Sequence, residues 1–204
     1  MESCMVESAC SGVLQCNYDH CQEFVSFCGE ARGDDVEIHY DEYPDIWDLE
    51  YVDKITIKYI FPSPKLIPLS NKYPTIINTL LEDSFCLYWS SPSSCANKLR
   101  IIVEEILNDL KIPKKHKTKK SKLVLSTTHH RIGRLGNKTK FKEASEYLLA
   151  IKEIGNPASH ASSFDENAII PAYKLLNKAL DLIYIGYDKE LNRLKELAKN
   201  KKLV

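Results

Sequence analysis

The sequence predicts an α+β chain that is mainly α, with a small N-terminal antiparallel β-sheet followed by a bundle of five to six helices. Three observations predict it. Before residue 65, polar and apolar residues alternate in short runs rich in β-branched and aromatic side chains. Pro62, Pro64 and Pro68 then set an extended connector, because proline locks φ and turns the residue before it away from helix. Beyond them, apolar residues recur three and four positions apart. The chain therefore divides into residues 1–65, a small β-rich subdomain that carries cysteines, and residues 66–204, the helical bundle.

The strands are expected at Gly12–Cys16, Glu23–Cys28 and Asp53–Phe61. In the last, Ile55, Ile57, Tyr59 and Phe61 alternate with polar partners, which gives the sheet one buried face. The first helix runs from Pro74 to Trp89 on Ile76, Ile77, Leu80, Leu81, Phe85 and Tyr88. Ser91-Pro92 starts the second, which carries Cys95, Leu99, Ile102, Val103, Ile106 and Leu110. A lysine-rich loop ends it. A short helix over Thr128–Leu135 follows, then Phe141–Ile154, where Phe141, Ala144, Leu148 and Ile151 keep helical spacing. The last helix runs from Asp165 through Tyr184 toward Lys199, with Pro171 tolerated in its first turns.

With 44% hydrophobic and 27% charged residues, the chain has the composition of an ordinary globular protein. No window approaches a membrane span, and MESCMVESAC lacks the layout of a secretion signal, so a cytoplasmic protein with no membrane partner is expected. In that compartment seven cysteines are thiols or metal ligands, not disulfides. The net charge is zero but unevenly spread: residues 30–53 hold ten acids against Arg32, and residues 111–122 hold seven lysines and no acid. Neutrality argues against a dedicated nucleic-acid coat protein and leaves room for a local basic patch. A conventional hydrolase is disfavoured, because no Gly-x-Ser-x-Gly elbow, phosphate-binding glycine loop or paired-carboxylate motif occurs.

The most informative stretch is Lys152-Glu-Ile-Gly-Asn-Pro-Ala-Ser-His160. It sets a cation, an amide and an imidazole around a Gly-Asn-Pro break at the end of a helix. One reading is structural: Gly155 and Asn156 cap the helix and His160 hydrogen-bonds below the surface. The other is a functional corner in which Asn156 orients the His160 ring. Together with Tyr73-Pro74, Leu99-Arg100-Ile-Ile-Val-Glu104, His129-His-Arg-Ile132 and Leu135, the stretch resembles the family called domain of unknown function 4145, over about residues 66–185. The front end, with Gly12–Cys16, Cys21 and Val25–Gly29, extends the likeness weakly.

That family is similar to a branch of the HEPN helical-bundle superfamily, so the resemblance implies a HEPN-like bundle. Members are bacterial and archaeal and also occur beside type I restriction subunits. The implied setting is a prokaryotic defence system, anti-phage, restriction or toxin-associated, in which the chain is a noncatalytic interaction and dimerisation module with a protein partner. The alternative is a metal-independent endoribonuclease. In nuclease relatives an arginine and a histidine from two protomers meet over an RNA phosphate, where the imidazole moves protons and the guanidinium steadies phosphoryl charge. The residues implied for that role are Lys152, Asn156, His160, Arg100 and Glu104. Lys152 stands in place of the arginine, and seven residues separate it from His160, a longer interval than is usual. Lysine is a point charge without the two-pronged grip of a guanidinium, so this departure favours the binding module.

Two further groups carry chemistry. Lys114, Lys115, Lys117, Lys119 and Lys120, with Arg131 of the His129-His130-Arg131 cluster, are the candidate RNA-binding cations; read plainly, the lysines form a solvated loop. No aromatic residue interleaves them, so base stacking is not indicated. Cys16 and Cys21, four residues apart, join Cys10 and Cys28 as the candidate ligands of a structural zinc, with Cys4 and His20 also in reach. Cys86 and Cys95 are assigned to helix cores, and no cofactor is required for catalysis.

Overall fold

The computed structural model describes residues 7–40, 43–117, 123–155 and 165–186. Its fold is α+β and mainly α, as the hydrophobic periodicity predicts. The chain forms two units, residues 1–64 and residues 65–204.

The first unit is a three-stranded antiparallel sheet in the order β1 (Glu7–Gln15), β2 (Phe24–Tyr40) and β3 (Tyr43–Phe61). The last two strands are far longer than the local sequence suggested. Their backbones pair through the acidic stretch, from Arg32 opposite Lys54 to Tyr40 opposite Tyr43, because a ladder once started extends by main-chain bonds whatever the side chains. A bulge lies between Cys28 and Gly29 in the register with β3. It reverses the parity of β3, so Ile55 and Ile57 share a face with Ala31 and Gly29, and Ile60 joins Phe27 on that face. Tyr59 and Phe61 pair with Cys28 and Ser26 on the other face and are 62% and 79% exposed. Ile55 on the first face is itself 50% exposed, so both the simple alternation from Ile55 to Phe61 and the single buried face expected from it are corrected.

The second unit holds five α-helices among the described residues: α1 (Thr75–Ser90), α2 (Pro92–Asp109), α3 (Thr128–Gly136), α4 (Lys142–Gly155) and α5 (Ile169–Leu180). Their ends fall within two residues of the positions set by Ser91-Pro92 and by the apolar repeats, except that α5 begins after a single tight turn at Glu166–Ala168. A π-turn over Asp181–Ile185 follows α5 and closes on Gly186, whose φ of 80° admits glycine without strain. The expected continuation toward Lys199 lies outside the described residues. The bundle pairs α1 with α2, α2 with α4, and α4 with both α3 and α5.

The core is built from Ile77, Leu81 and Phe85 of α1, Leu99, Ile102, Val103 and Ile106 of α2, Leu148 and Ile151 of α4, and Tyr173, Leu176 and Leu180 of α5. Ile76 and Cys86, expected inside, are exposed because each lies one position off the buried stripe of α1. Cys95 is buried as expected. Its thiol donates to the Ser84 carbonyl at 3.3 Å, and the Tyr173 hydroxyl donates to Ser84 Oγ at 2.7 Å. At one end, the Tyr73 hydroxyl donates to Asp181 and the Tyr184 hydroxyl to Asp109, which ties the π-turn to the segment ahead of α1 and to the end of α2.

Candidate functional site

A corner where α2 ends and α3 begins gathers Glu104, Arg131, His129, His130 and the start of the lysine run. At the end of α2, Lys111 adopts φ 54°, the Lys111 amide donates to the Asn108 carbonyl, and the Ile112 amide donates to the Leu107 carbonyl. These paired bonds around a left-handed residue satisfy the last carbonyls of the helix and bury Ile112 beneath it. The turn leads through Pro113 to Lys114 and Lys115. The expected loop is in part a hairpin, β4 (Lys115–Lys117) and β5 (Leu123–Leu125), closed by the Ser126 amide donating to the Lys114 carbonyl. Lys114 and Lys115 are exposed at its start; Lys117 is its last paired residue on β4, and Lys119 and Lys120 lie outside the described residues.

Arg131 is not a surface cation. It is 5% exposed on α3, and its Nη2 donates to Asn108 Oδ1 at 2.8 Å and to the Ile112 carbonyl at 3.0 Å. Asn108 in turn donates through Nδ2 to Glu105, which fixes the amide so that its oxygen meets the guanidinium. Burial pulls the Arg131 guanidinium down from its ordinary value, and Glu104 and Glu105 oppose the shift. An arginine held this way clamps two helices and a turn together and is withdrawn from phosphate binding, which corrects its assignment as an RNA contact. The His129-His130-Arg131 sequence explains the difference. Successive helical residues point in directions about 100° apart, so one of three must face inward while the others face out.

The outward residues line a cleft. His116 of β4 and His129, His130, Gly133, Arg134 and Asn137 of α3 and its end surround a space of about 440 Å³. The His116 and His130 rings lie 5.8 Å apart and those of His129 and His130 6.3 Å apart, both edge to face. His116 Nδ1 is bonded with Ser126 Oγ at 3.0 Å, which holds the ring and leaves Nε2 as its other polar atom. Arg134 donates from Nη1 to the Pro113 carbonyl at 3.3 Å, one of its five donors. The Thr127 hydroxyl caps α3 by accepting from the His130 amide. Sequence reading placed His129 and His130 but missed His116, Arg134 and Asn137, since only the hairpin brings His116 to α3.

The residues implied as catalytic are placed only in part. Asn156 and His160 lie outside the described residues. Lys152 stands in the last turn of α4, its side chain 18% exposed, with Nζ 2.7 Å from Glu153 Oε1. Glu104 accepts from the Thr128 hydroxyl at 2.8 Å and so links α2 to the start of α3. Arg100 lies one turn earlier on α2, half-buried. None of these contacts joins Lys152 to Glu104.

The model of the family described as domain of unknown function (DUF4145) matches residues 83–202, more than half of the chain. The chain belongs to this family. No curated protein and no solved structure matched it. The DUF4145 segment holds α2, the hairpin, α3, α4 and α5, and with them the whole histidine-lined cleft. Among the described residues of this DUF4145 protein, no helix is long and apolar enough to cross a membrane.

The cysteines precede the DUF4145 match. Cys16 and Cys21 flank the β1–β2 turn, where the Cys21 amide donates to the Tyr18 carbonyl and the Cys16 amide to the Glu23 carbonyl. Their thiols interact: the Glu23 backbone pulls the Cys21 thiol down, and the hydrogen bond from Cys16 with the remaining effects leaves it raised. Cys10 pairs with Gly29 and Cys28 with Ser11, so Cys10 and Cys28 lie on opposite faces of the sheet. Four thiols so disposed cannot surround one ion, and the described residues hold no cluster of three or more His, Cys, Asp or Glu fit for a metal. The Cys10, Cys16, Cys21, Cys28 quartet is therefore not assembled. Cys4 lies outside the described residues.

Proposed function

We propose that this DUF4145 protein is a noncatalytic, HEPN-like interaction module of a prokaryotic defence system, one that forms a homodimer through its helices and docks a restriction or toxin component. The observation that carries this reading is how the polar residues are engaged. Glu104 accepts a hydrogen bond from Thr128 between two helices, Arg131 clamps the end of α2, and Lys152 pairs with the adjacent Glu153. The first two side chains are committed to joining helices and make a rigid platform, and a lysine in place of the nuclease arginine weakens the grip on a phosphoryl group.

The second reading is a metal-independent endoribonuclease with a composite Lys152 and His160 site across a dimer. It is favoured by the position of Lys152, in the last turn of α4 directly before Gly155. One experiment separates the two. Total RNA is incubated in chelator with the wild-type protein and with His160→Ala. Undegraded RNA in both is expected; cleavage by the wild type that vanishes in the variant would establish the nuclease. Light scattering on the eluting protein tests the dimer, and a monomer at micromolar concentration would remove that part of the proposal.

A further inference from the structure

We infer that the cleft between the β4–β5 hairpin and α3 is a binding site for single-stranded nucleic acid, with a backbone phosphate among His116, Arg134, Lys114 and Lys115, and an unpaired base against the exposed rings of His129 and His130. The inference does not depend on Lys152 or His160.

Charge decides the class of ligand. The lining residues are three imidazoles, a guanidinium, an amide and a glycine, with no carboxylate among them. Lys114 and Lys115 stand exposed where the chain enters the hairpin. Imidazoles so grouped could also hold a divalent cation, but Arg134 and the lysines repel one, and the described residues include no ligand cluster fit for a metal. The same cations attract phosphate, and Arg134 offers the planar donor fork that suits it.

Shape decides between single strand and duplex. The volume falls within the roughly 300–1,000 Å³ usual for ligand clefts, room for one nucleotide but not for a double helix. His129 and His130 are exposed, and unpaired bases stack on such aromatic faces while paired bases hide theirs. The lysine run by itself gave no stacking partner. The fold supplies one by laying the hairpin against α3, which brings His116 within 5.8 Å of His130.

Fluorescence anisotropy with a labelled oligouridylate of about 12 nucleotides, within the span of single-strand sites, tests the inference on the full chain. The wild type is expected to bind, and the affinity of the His129→Ala, His130→Ala double variant to fall about tenfold at an unchanged melting temperature. Lys114→Ala with Lys115→Ala should reduce the slope of log affinity against log salt by about 1 to 1.5. Affinity unchanged in both variants would overturn the site, and equal affinity for a duplex of the same length would overturn its assignment to single strands. Titrating the wild type while following the histidine Cε1 proton resonances needs no variant at all. Those of His116, His129 and His130 should shift, and rings that stay in place as the oligonucleotide binds would refute the inference.

Discussion

Arg131 shows how much one side chain settles at this corner. Its buried guanidinium meets Asn108 and the Ile112 carbonyl, so a truncated side chain would leave an amide oxygen and a buried carbonyl without their donor. Arg131→Met is expected to lower stability by about 2–4 kcal/mol in urea unfolding, whereas Arg134→Met, at the exposed rim, should cost about 1 kcal/mol or less. Equal losses in the two variants would show that Arg131 is not the clamp. A second residue-scale consequence concerns pH. Burial pushes the Cys95 thiol up to about 11, partly opposed by the hydrogen bond with Tyr173, and burial followed by the charge of Asp181 pushes the Tyr73 hydroxyl up to about 12. Both are neutral in the native protein and ionise more readily once unfolded. Their contribution is therefore complete below the ordinary thiol value of 9.0, and is lost as pH rises through 11 and then 12. Stability measured under reductant should fall over that range, and Cys95→Ser should flatten the first part of the fall.

At the scale of elements, the bulge at Cys28 and Gly29 sets which face of β3 each residue takes. A Cβ at Gly29 would run into the Thr56 backbone carbonyl, with the Ile57 backbone beside it, so neither neighbour can give way by a rotamer change. Gly29→Ala should destabilise the sheet by about 1–3 kcal/mol, which hydrogen exchange of the β2–β3 amides would register as lost protection. Intact protection would show that the bulge relaxes. The helices were the most legible elements. Ser91-Pro92 marked the start of α2, and Ala144, Leu148 and Ile151 marked the buried stripe of α4, because such signals are local. The hairpin was not legible. Lys115–Lys117 has no strand propensity to read, and the pairing is set by the left-handed turn at Lys111 together with the closing bond from Ser126 to Lys114. The long β2–β3 ladder escaped notice for a related reason, since acid-rich segments read as loop until main-chain pairing is considered.

At the scale of the whole molecule, the buried apolar core found among the described residues lies within one unit. Every residue of that core lies between Ile67 and Ile183. A fragment of residues 65–204 should therefore fold by itself, with a cooperative thermal transition and the helical circular dichroism of the intact chain. A fragment that stays uncooperative would mean that the helices need residues 1–64 to hold together.

The sequence by itself determined the class of fold, the division near residue 65 and the family, because periodicity, proline placement and a run of motif residues are all read along the chain. It also placed Lys152 in the last turn of its helix. Only the tertiary structure decided that Arg131 faces inward while His129 and His130 face out, that His116 meets them, and that Cys10 and Cys28 are parted by the sheet. The reason is geometric. Helix phase, strand parity and a single left-handed residue after α2 each choose a direction in space, and direction is fixed by packing between segments distant in sequence.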